Sequence, residues 1–480
     1  MAATFHVEHF GCRAARADGE AVRERLRAAG LDDASPPEAD VVVVNTCSVT
    51  AEADRAARAF IRRAHRLNPE ARIVVTGCYA QRAPQELACI DGVAAVVGNS
   101  HKARAPEIIL GLGLGGTQPS AARPELAGPS LVRAESLISG NAHAPIWADD
   151  RFAHSFIEEA QMAPGAQTRP NLKIQEGCGN RCTFCVIPQT RGPSKSLPAA
   201  SVLRRVEGFV AAGGNELVLS GINLGRWGRD FSSSETSPTR TLSGLVRAIF
   251  EQTTLPRLRL SSIEPMDWDT QLIGLMAEFG NPTNGPSRLA RHAHLPLQSG
   301  SDAVLRRMHR RYRPWHYVEK VDALLRACGS RLTLGADVMA GFPGETDAEF
   351  EETLALVRGL PFDYLHLFSF SPRPATMAWA LHAERPVAPE AVAERMAALR
   401  TLAAEKTETH RRSFVGQELE AITLHTPAEL GARGRTAALT ENFLPVELAG
   451  QLEANRLVPV RVTGLTAEGA LEAVVGGKPA

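Results

Sequence analysis

The sequence has few cysteines, no long apolar run and no recognisable targeting signal. These absences argue in turn against a disulfide-rich protein, a membrane-spanning protein and a secreted protein. Eight cysteines in 480 residues are too few for a disulfide scaffold. No apolar run approaches the roughly 18 residues of a membrane-spanning helix. The first residues, MAATFHVEHFGCRAARADGE, lack the basic-then-apolar pattern of a signal peptide. We therefore expect a cytoplasmic protein with no membrane partner, whose cysteines serve metal or redox chemistry.

The chain also lacks net charge, with 53 basic and 53 acidic residues. A neutral total gives no indication of a nucleic-acid partner, although it says nothing about how charge is distributed. The apolar fraction of 44% and the charged fraction of 22% are ordinary for globular proteins. At about 150 residues per domain, this length predicts roughly three domains.

The first predicted domain covers residues 1–115. Its strand-like runs at Thr4–Phe10, Val41–Asn45 and Arg72–Thr76 alternate with helix-like segments. This alternation predicts an α/β domain with a parallel, flavodoxin-like sheet. Residues 116–160 are rich in glycine, proline and alanine, and we interpret them as a linker.

Two further domains are predicted after the linker. Residues 161–412 repeat a strand–helix unit six times, which predicts a partial (β/α)6 barrel. Its strands are expected at Leu172–Gln175, Glu216–Ser220, Arg257–Ser261, His292–Leu297, Thr333–Ala340 and Tyr364–Phe370. Residues 413–480 contain short strand-like runs without long helices, which predicts a small antiparallel β-barrel. These runs are Glu418–Leu424, Arg435–Leu439 and Leu457–Thr463.

Cysteines follow all three strand-like runs of the first domain, at Cys12, Cys47 and Cys78. The carboxyl ends of parallel strands share one edge of a sheet, where ligands bind. Three cysteines that are distant in sequence can therefore meet in space.

A second set of cysteines lies close together in sequence. Cys178, Cys182 and Cys185 form a C-x3-C-x2-C run in GCGNRCTFC, after the first strand of the predicted barrel. Three thiolates on one loop can hold three irons of a [4Fe-4S] cluster and leave the fourth iron open. Two alternatives are buried packing of small thiols and a zinc site, but closed structural zinc sites require four ligands. The spacing favours the cluster.

This run and several other motifs resemble the radical S-adenosylmethionine methylthiotransferases over nearly the full chain. The motifs are VVNTCSVTAEAD, VVTGCYAQ, LKIQEGCGNRCTFCVIP, HLPLQSGSD, ADVMAGFPGETDAEFEET and LHLFSFSPRPAT. The resemblance implies that residues 161–412 form a radical SAM core and residues 413–480 a TRAM RNA-binding domain. It also implies a radical [4Fe-4S] cluster on Cys178, Cys182 and Cys185, whose open iron binds S-adenosylmethionine. An auxiliary [4Fe-4S] cluster that supplies or carries the sulfur is implied on Cys12, Cys47 and Cys78.

Two segments point to one branch of this family. LRLSSIEP (258–265) and RRMHRRY (306–312) are most similar to the branch that converts N(6)-threonylcarbamoyladenosine at position 37 of tRNA into its 2-methylthio derivative. This implies the tRNA anticodon stem-loop as partner, together with an electron donor and a sulfur donor of unspecified identity. It also implies two S-adenosylmethionine molecules per product, one for the methyl group and one for radical formation. The alternatives are isopentenyladenosine, a ribosomal-protein aspartate, or a non-catalytic metal-bearing RNA-binding protein.

Residues at the carboxyl ends of the predicted barrel strands are candidates for binding S-adenosylmethionine, because active sites of such barrels lie there. The candidates are Gly221, Glu264, Gln298, Gly341 and Arg373. The alternative is that the glycines serve tight turns and the polar residues cap helices.

Basic residues gather in two places despite the neutral total. Arg307, Arg310 and Arg311 lie in one short arginine-rich stretch, and we expect them to contact the RNA backbone. Arginines recur on one face of the segment 55–66, where a solvated helix surface is the better interpretation. His294 and His366 lie on predicted barrel strands, and we expect both to be satisfied interior residues rather than ligands.

The chain departs from the family pattern after its first cysteine. Ala15 stands where an asparagine is usual, Asp18 retains the acid, and Gly19 replaces a hydroxyl residue. Polar support for the auxiliary cluster is therefore either weaker than usual or supplied by other residues.

Overall fold

The computed structural model describes residues 2–112, 144–156, 168–232, 238–281 and 286–476. The chain divides into two compact units. The first unit is Met1–Ala160 with Glu176–Asn180 and Cys185–Ser194, and the second is Gln161–Gln175, Arg181–Phe184 and Lys195–Ala480. The predicted linker lies mostly outside the described residues, and the predicted domain boundaries stay predictions. No helix in the described part of the chain is long and apolar enough to cross a membrane.

The first unit is built on a parallel sheet, as its sequence predicted, and the sheet has six strands, three more than the predicted runs. The strand order is β2-β1-β3-β4-β5-β6. The strands are β1 (Thr4–His9), β2 (Asp32–Asp33), β3 (Val41–Thr46), β4 (Arg72–Gly77), β5 (Val93–Gly98) and β6 (Ile146–Trp147). Helices of this unit are α1 (Arg13–Ala28), α2 (Ala51–Leu67), α3 (Cys78–Arg82), α4 (Pro84–Ala88), α5 (Ala105–Leu110) and α6 (Ile187–Arg191).

The sequence of β3, VVVVNT, shows why this sheet is buried on both faces. Val42 and Val44 belong to one apolar cluster, and Val41 and Val43 belong to another. A strand covered on both faces has an uninterrupted apolar run instead of an alternating one. The carboxyl end of β3, just before Cys47, is thereby fixed in a rigid part of the unit.

The second unit contains the six predicted strands of the partial barrel and one further short strand, β8, in two sheets ordered β10-β9-β7-β8 and β11-β12-β13. The strands are β7 (Asn171–Glu176), β8 (Lys195–Ser196), β9 (Glu216–Gly221), β10 (Arg257–Leu260), β11 (His292–His294), β12 (Thr333–Ala340) and β13 (Tyr364–Ser369). The helices are α7 (Ala199–Ala211), α8 (Leu242–Gln252), α9 (Thr270–Leu275), α10 (Asp302–Arg307), α11 (Pro314–Cys328), α12 (Asp347–Gly359), α13 (Met377–Glu384) and α14 (Pro389–Arg412).

The strand β11 is shorter than its predicted span of His292–Leu297. It ends two residues before Pro296, which has no N–H to donate to a neighbouring strand. The backbone N–H groups of Leu295 and Leu297 still donate to β12, at Gly335 and Asp337. The chain therefore continues along β12 without regular strand geometry.

The C-terminal residues form the predicted small β-barrel, which is closed in the order β14-β15-β16-β18-β17. Its elements are β14 (Glu418–Thr423), α15 (Ala428–Ala432), β15 (Arg435–Thr440), β16 (Pro445–Ala449), β17 (Leu457–Leu465) and β18 (Leu471–Val475). The pair β16–β18 is parallel, whereas its other pairs are antiparallel. Sequence patterns had not identified β16 or β18.

A fully buried carboxylate, Glu216 on β9, lies where the central barrel meets this small barrel. Its Oε1 accepts from Arg169 Nε at 2.6 Å and from Arg259 Nε at 2.9 Å, and Arg257 Nη1 lies 3.5 Å from Oε2. Arg257 also pairs with Glu420 of β14. Burial alone would raise the pKa of Glu216, but the three guanidinium groups lower it to about 2.

We predict that Glu216→Gln destabilises the second unit by about 3–5 kcal/mol, because it leaves buried arginines without their counter-charge. Urea unfolding should show this through the fluorescence of Trp227 and Trp268, which are buried in the same unit. A folded-state pKa below the usual 4.5 means that the contribution is present above that pH and is lost as the pH falls towards about 2.

Glu278→Gln is the matched control, because Glu278 pairs with Arg247 on the surface. It should leave the unfolding midpoint nearly unchanged. Equal effects of the two substitutions would contradict the structural role of Glu216.

Candidate active site

The three N-terminal cysteines lie just after the carboxyl ends of β1, β3 and β4 in the first unit. Gly11 has a φ of +103°, and a Cβ at this position would overlap the side chain of Cys47. The glycine therefore lets the Cys12 segment lie directly against Cys47. Burial raises the pKa of the Cys47 thiol to about 12, and the charges of neighbouring Cys78 and Cys12 add to the effect. The structure thus brings these three thiols together.

Cysteine thiolates are the ligands of iron–sulfur clusters, so these three residues have the chemistry that such a cluster requires.

Cys78 accepts hydrogen bonds from two buried side chains, Asn99 and Arg191. Asn99 Nδ2 lies 3.4 Å from the sulfur, and Arg191 Nε lies 3.3 Å from it. Arg191 Nη1 also donates to Asp18 Oδ2 at 3.0 Å and to Glu176 Oε1 at 2.7 Å. Burial opposes its charge, yet Cys78 and the two carboxylates raise the pKa of Arg191 well above its usual value. A cation and an amide donor at this sulfur fit a thiolate ligand.

Lys102 completes this buried network. Its Nζ lies 3.1 Å from Asp18 Oδ2 and also contacts the Glu176 carboxylate. Sequence analysis missed Lys102, Asn99 and Arg191, because no local spacing joins the segment 99–102 to residue 191. Both segments are polar in sequence, so neither charge stands out locally.

The structure also explains the departures after Cys12. A Cβ at Gly19 would overlap the His9 ring, so a larger residue here would require that ring to move. Asn45 donates from its side chain to the carbonyl oxygen of Ala15. Polar groups around the cysteines are thus supplied by other segments, and Asp18 serves to bind Arg191.

The remaining candidate ligands, Cys178, Cys182 and Cys185, lie in the loop between β7 and α6, and each is partly exposed. In the first unit, Asn180 N donates to Cys178 Sγ at 3.4 Å. In the second unit, Arg310 Nη1 donates to Cys182 Sγ at 3.4 Å. Partly exposed thiols that accept hydrogen bonds fit the ligands of a cluster that must remain open to a cofactor.

Two of the predicted cofactor-binding residues have backbone constraints at the ends of barrel strands. Gln298 has a φ of +62°, a conformation that costs a non-glycine residue about 1–3 kcal/mol and is concentrated at functional sites. Gly341 has a φ of +78°, and its N–H donates to Glu345 Oε2 at 2.7 Å. A Cβ at Gly341 would lie 2.5 Å from a methyl group of Val392.

Gly221 and Arg373 are also packed closely. A Cβ at Gly221 would lie 2.9 Å from Cβ of Gln175, whose Oε1 accepts from Asn223 N at 2.7 Å. Arg373 is buried and donates to Ser371 Oγ at 3.2 Å. Cofactor binding by these two residues stays a prediction.

Glu264 and Arg310, for which the sequence suggested different roles, form one ion pair in the structure. Arg310 is only 7% exposed and also donates to Tyr312 Oη at 3.2 Å. Burial disfavours its charge, but Tyr312, Glu264 and Cys182 together raise the pKa of Arg310 well above its usual value. The sequence predicts Arg310 on a basic face that contacts RNA, whereas the structure places it, buried, beside Cys182.

The other two arginines predicted to bind RNA already have carboxylate partners. Arg307 makes two hydrogen bonds to Glu349, at 2.8 and 2.7 Å, and Arg311 lies 3.3 Å from Asp267 Oδ1. Their side chains are 24% and 38% exposed. The RNA-binding role of these three arginines stays a prediction.

Comparisons with known proteins place two family models on the chain. The model described as "Uncharacterized protein family UPF0004" matches residues 4–98, and the model of the Radical SAM superfamily matches residues 172–357. Among solved structures, the radical S-adenosylmethionine methyltransferase TsrM from Kitasatospora setae is similar, with a TM-score of 0.52 and 16% identity over 80% of this chain and 76% of that chain. This likeness concerns the fold alone.

Curated relatives match over most of the chain. The threonylcarbamoyladenosine tRNA methylthiotransferase MtaB of Aquifex aeolicus is 32% identical over 95% of this chain and 99% of that protein. The tRNA-2-methylthio-N(6)-dimethylallyladenosine synthase of Sorangium cellulosum is 33% identical over 91% of this chain and 84% of that protein. The two cysteine sets, the partial barrel and these matches agree. The chain therefore belongs to the radical SAM methylthiotransferase family.

Proposed function

We propose that this tRNA methylthiotransferase acts on N(6)-threonylcarbamoyladenosine at position 37 of the anticodon stem-loop. The product would have a methylthio group in place of the hydrogen on carbon 2 of the adenine. The observation that carries this proposal is the match to the Aquifex aeolicus protein over 95% of this chain and 99% of that relative. The MtaB of Bacillus subtilis supports it, with 31% identity over 93% of this chain.

A contact within the second unit adds physical support. Glu264 and Arg310 belong to the two segments on which the sequence resemblance to this branch rested. The two side chains pair with each other, and Arg310 donates to Cys182. A carboxylate held by a buried guanidinium next to a cluster ligand is a fixed polar group, suited to orienting a charged cofactor.

The six cysteines would serve as ligands in two sets. Cys178, Cys182 and Cys185 would hold the radical [4Fe-4S] cluster, and Cys12, Cys47 and Cys78 the auxiliary one. When bound, these clusters and S-adenosylmethionine supply the electron, the radical and the sulfur that side chains do not provide. The chain's own contribution is to fix the thiolates: Arg310 donates to Cys182, and Arg191 to Cys78.

The two cysteine sets should separate in function. We predict that Cys182→Ala abolishes reductive cleavage of S-adenosylmethionine, whereas Cys47→Ala retains cleavage but stops sulfur insertion. Anaerobically reconstituted wild-type protein should contain about eight irons per chain, and each variant about four. Mass spectrometry of released deoxyadenosine and of the RNA nucleosides measures both activities.

Cys89→Ala is the control, because Cys89 is exposed and belongs to neither set. It should retain iron content and both activities. Cleavage that persists in Cys182→Ala would refute the radical-loop assignment. A single zinc without iron in wild-type protein would instead support a non-catalytic RNA-binding protein.

The tRNA substrate can be identified in cells. We predict that a strain lacking the gene loses 2-methylthio-N(6)-threonylcarbamoyladenosine and accumulates its unmodified precursor, while the 2-methylthio derivative of isopentenyladenosine is unchanged. Nucleoside mass spectrometry of total tRNA measures all three, and a plasmid copy should restore the loss. Selective loss of the isopentenyladenosine derivative would overturn the proposed substrate.

A further inference from the structure

A layer of polar, titratable side chains crosses β11, β12 and β13 of the second unit. Asp337 and His366 are direct neighbours in the β12–β13 register. Alternate residues of β12, including Ala336 and Val338, belong to the apolar core of the unit. Asp337 therefore points to the opposite face of the sheet, because side chains alternate along a strand.

Asp337 connects two imidazole rings. Its Oδ1 lies 3.1 Å from His294 Nε2 and 3.3 Å from His366 Nδ1. Burial would raise the pKa of Asp337, but the hydrogen bonds from the two histidines outweigh burial and lower it well below its usual value. An ionised carboxylate only accepts hydrogen bonds, so both rings donate to it.

The second nitrogen of His294 extends the network. His294 Nδ1 lies 3.0 Å from Tyr364 Oη, which lies 2.8 Å from His292 Nε2. His294 donates from Nε2 to Asp337, so its Nδ1 is the acceptor for the Tyr364 hydroxyl in the neutral ring. The chain of bonds thus fixes the tautomer and orientation of His294, which in turn holds Asp337.

Aromatic packing closes this face below the polar layer. The rings of His292 and Phe443 lie 4.4 Å apart, and Tyr364 stacks on His292 at 6.0 Å. A Cβ at Gly335 would overlap the Tyr364 ring, so the glycine makes room for this stack. Phe443 comes from the C-terminal barrel, which therefore contributes to the floor beneath the polar layer.

The polar layer is open on the side of His366. Its side chain is 53% exposed, whereas that of His294 is 7% exposed. Since His366 Nδ1 is committed to Asp337, Nε2 is the nitrogen that can face a ligand. Asp337 lies three residues before Ala340, at the end of β12, so the layer is about 10 Å below the barrel mouth.

An imidazole backed by a carboxylate has a specific binding preference. A ring with a proton on each nitrogen donates from Nδ1 to Asp337 and from Nε2 to an anion. The threonylcarbamoyl group ends in a carboxylate, whereas an isopentenyl group has no polar atom. Enclosing the apolar group here would remove water from His366 Nε2 without giving it a hydrogen-bond partner, and sites built to bind a polar group reject such ligands strongly.

We propose that His366, oriented by Asp337 and His294, binds the carboxylate of the threonylcarbamoyl group and thereby sets the preference for this substrate. The inference rests on the proposed function and adds the residues that recognise the N6 substituent. His366 contacts the substrate directly, whereas Asp337 and His294 are positioning residues.

Binding of modified anticodon stem-loop RNAs to the reconstituted holoenzyme tests this proposal. The probes contain either N(6)-threonylcarbamoyladenosine or its methyl ester, which lacks the negative charge. For wild-type protein we expect the ester to bind about tenfold more weakly than the acid, the loss expected for one charged hydrogen bond. His366→Gln should weaken binding of the acid by a similar factor and should bind acid and ester equally.

Fluorescence anisotropy measures these affinities, and deoxyadenosine release shows that the variant retains its radical cluster. His316→Gln, on α11 and outside the polar layer, is the matched control and should discriminate acid from ester as wild type does. Asp337→Asn should reduce the discrimination as well, because His366 loses the carboxylate that accepts from Nδ1 and orients its ring.

The outcomes separate the inference from the function on which it rests. Wild-type protein that methylthiolates isopentenyladenosine RNA and not threonylcarbamoyl RNA would refute the proposed function. Wild-type protein that uses threonylcarbamoyl RNA but binds acid and ester equally would refute the inference alone, as would His366→Gln with full discrimination. A transition metal bound by His294, Asp337 and His366 would also overturn it, since His366 would then be a metal ligand.

Discussion

The buried guanidinium of Arg191 joins Asp18, Glu176 and Cys78 of the first unit in one network. It is removed from water and must be compensated, because an uncompensated buried charge costs several kcal/mol. Asp18 and Glu176 supply the opposite charge, Lys102 bridges the same two carboxylates, and Nε remains directed at Cys78. The position of Cys78 relative to the segment that follows Cys185 is therefore fixed by electrostatics as well as by the sheet.

The second unit also compensates buried charges, at two places: around Glu216, and at Arg310 beside Cys182. Glu216 is surrounded by three arginines, and Arg310 is held between Glu264 and Cys182. Each of these buried charges has an opposite partner taken from another segment of the chain. The zero net charge is consistent with this internal pairing of opposite charges. Some of the basic residues neutralise internal carboxylates and do not contribute to an exposed basic surface.

Local patterns in the sequence were sufficient to predict the main strands and to group six of the cysteines into two sets of candidate ligands. Apolar runs such as VVVVNT identify buried strands directly. The C-x3-C-x2-C spacing is local as well, because it puts three candidate thiolate ligands on one loop. Short strands such as β16 (PVELA) and β18 (LEAVV) were missed because five residues give little periodicity. Arg310 looked exposed because its neighbours in sequence are basic, but its partner Glu264 lies 46 residues away. Contacts of that kind depend on the tertiary fold and leave no local pattern.

The strand register explains how such distant residues acquire a common function. In β12 and β13 the aligned pairs on the face opposite the helices are Gly335 with Tyr364, Asp337 with His366, and Met339 with Phe368. Successive layers along this face are thus aromatic, polar and apolar. A slip of one residue would turn Asp337 into the apolar core and Val338 onto this face. The burial of Leu334, Ala336 and Val338 makes that slip costly. The same apolar contacts that stabilise the barrel therefore also hold His366 and Asp337 in contact.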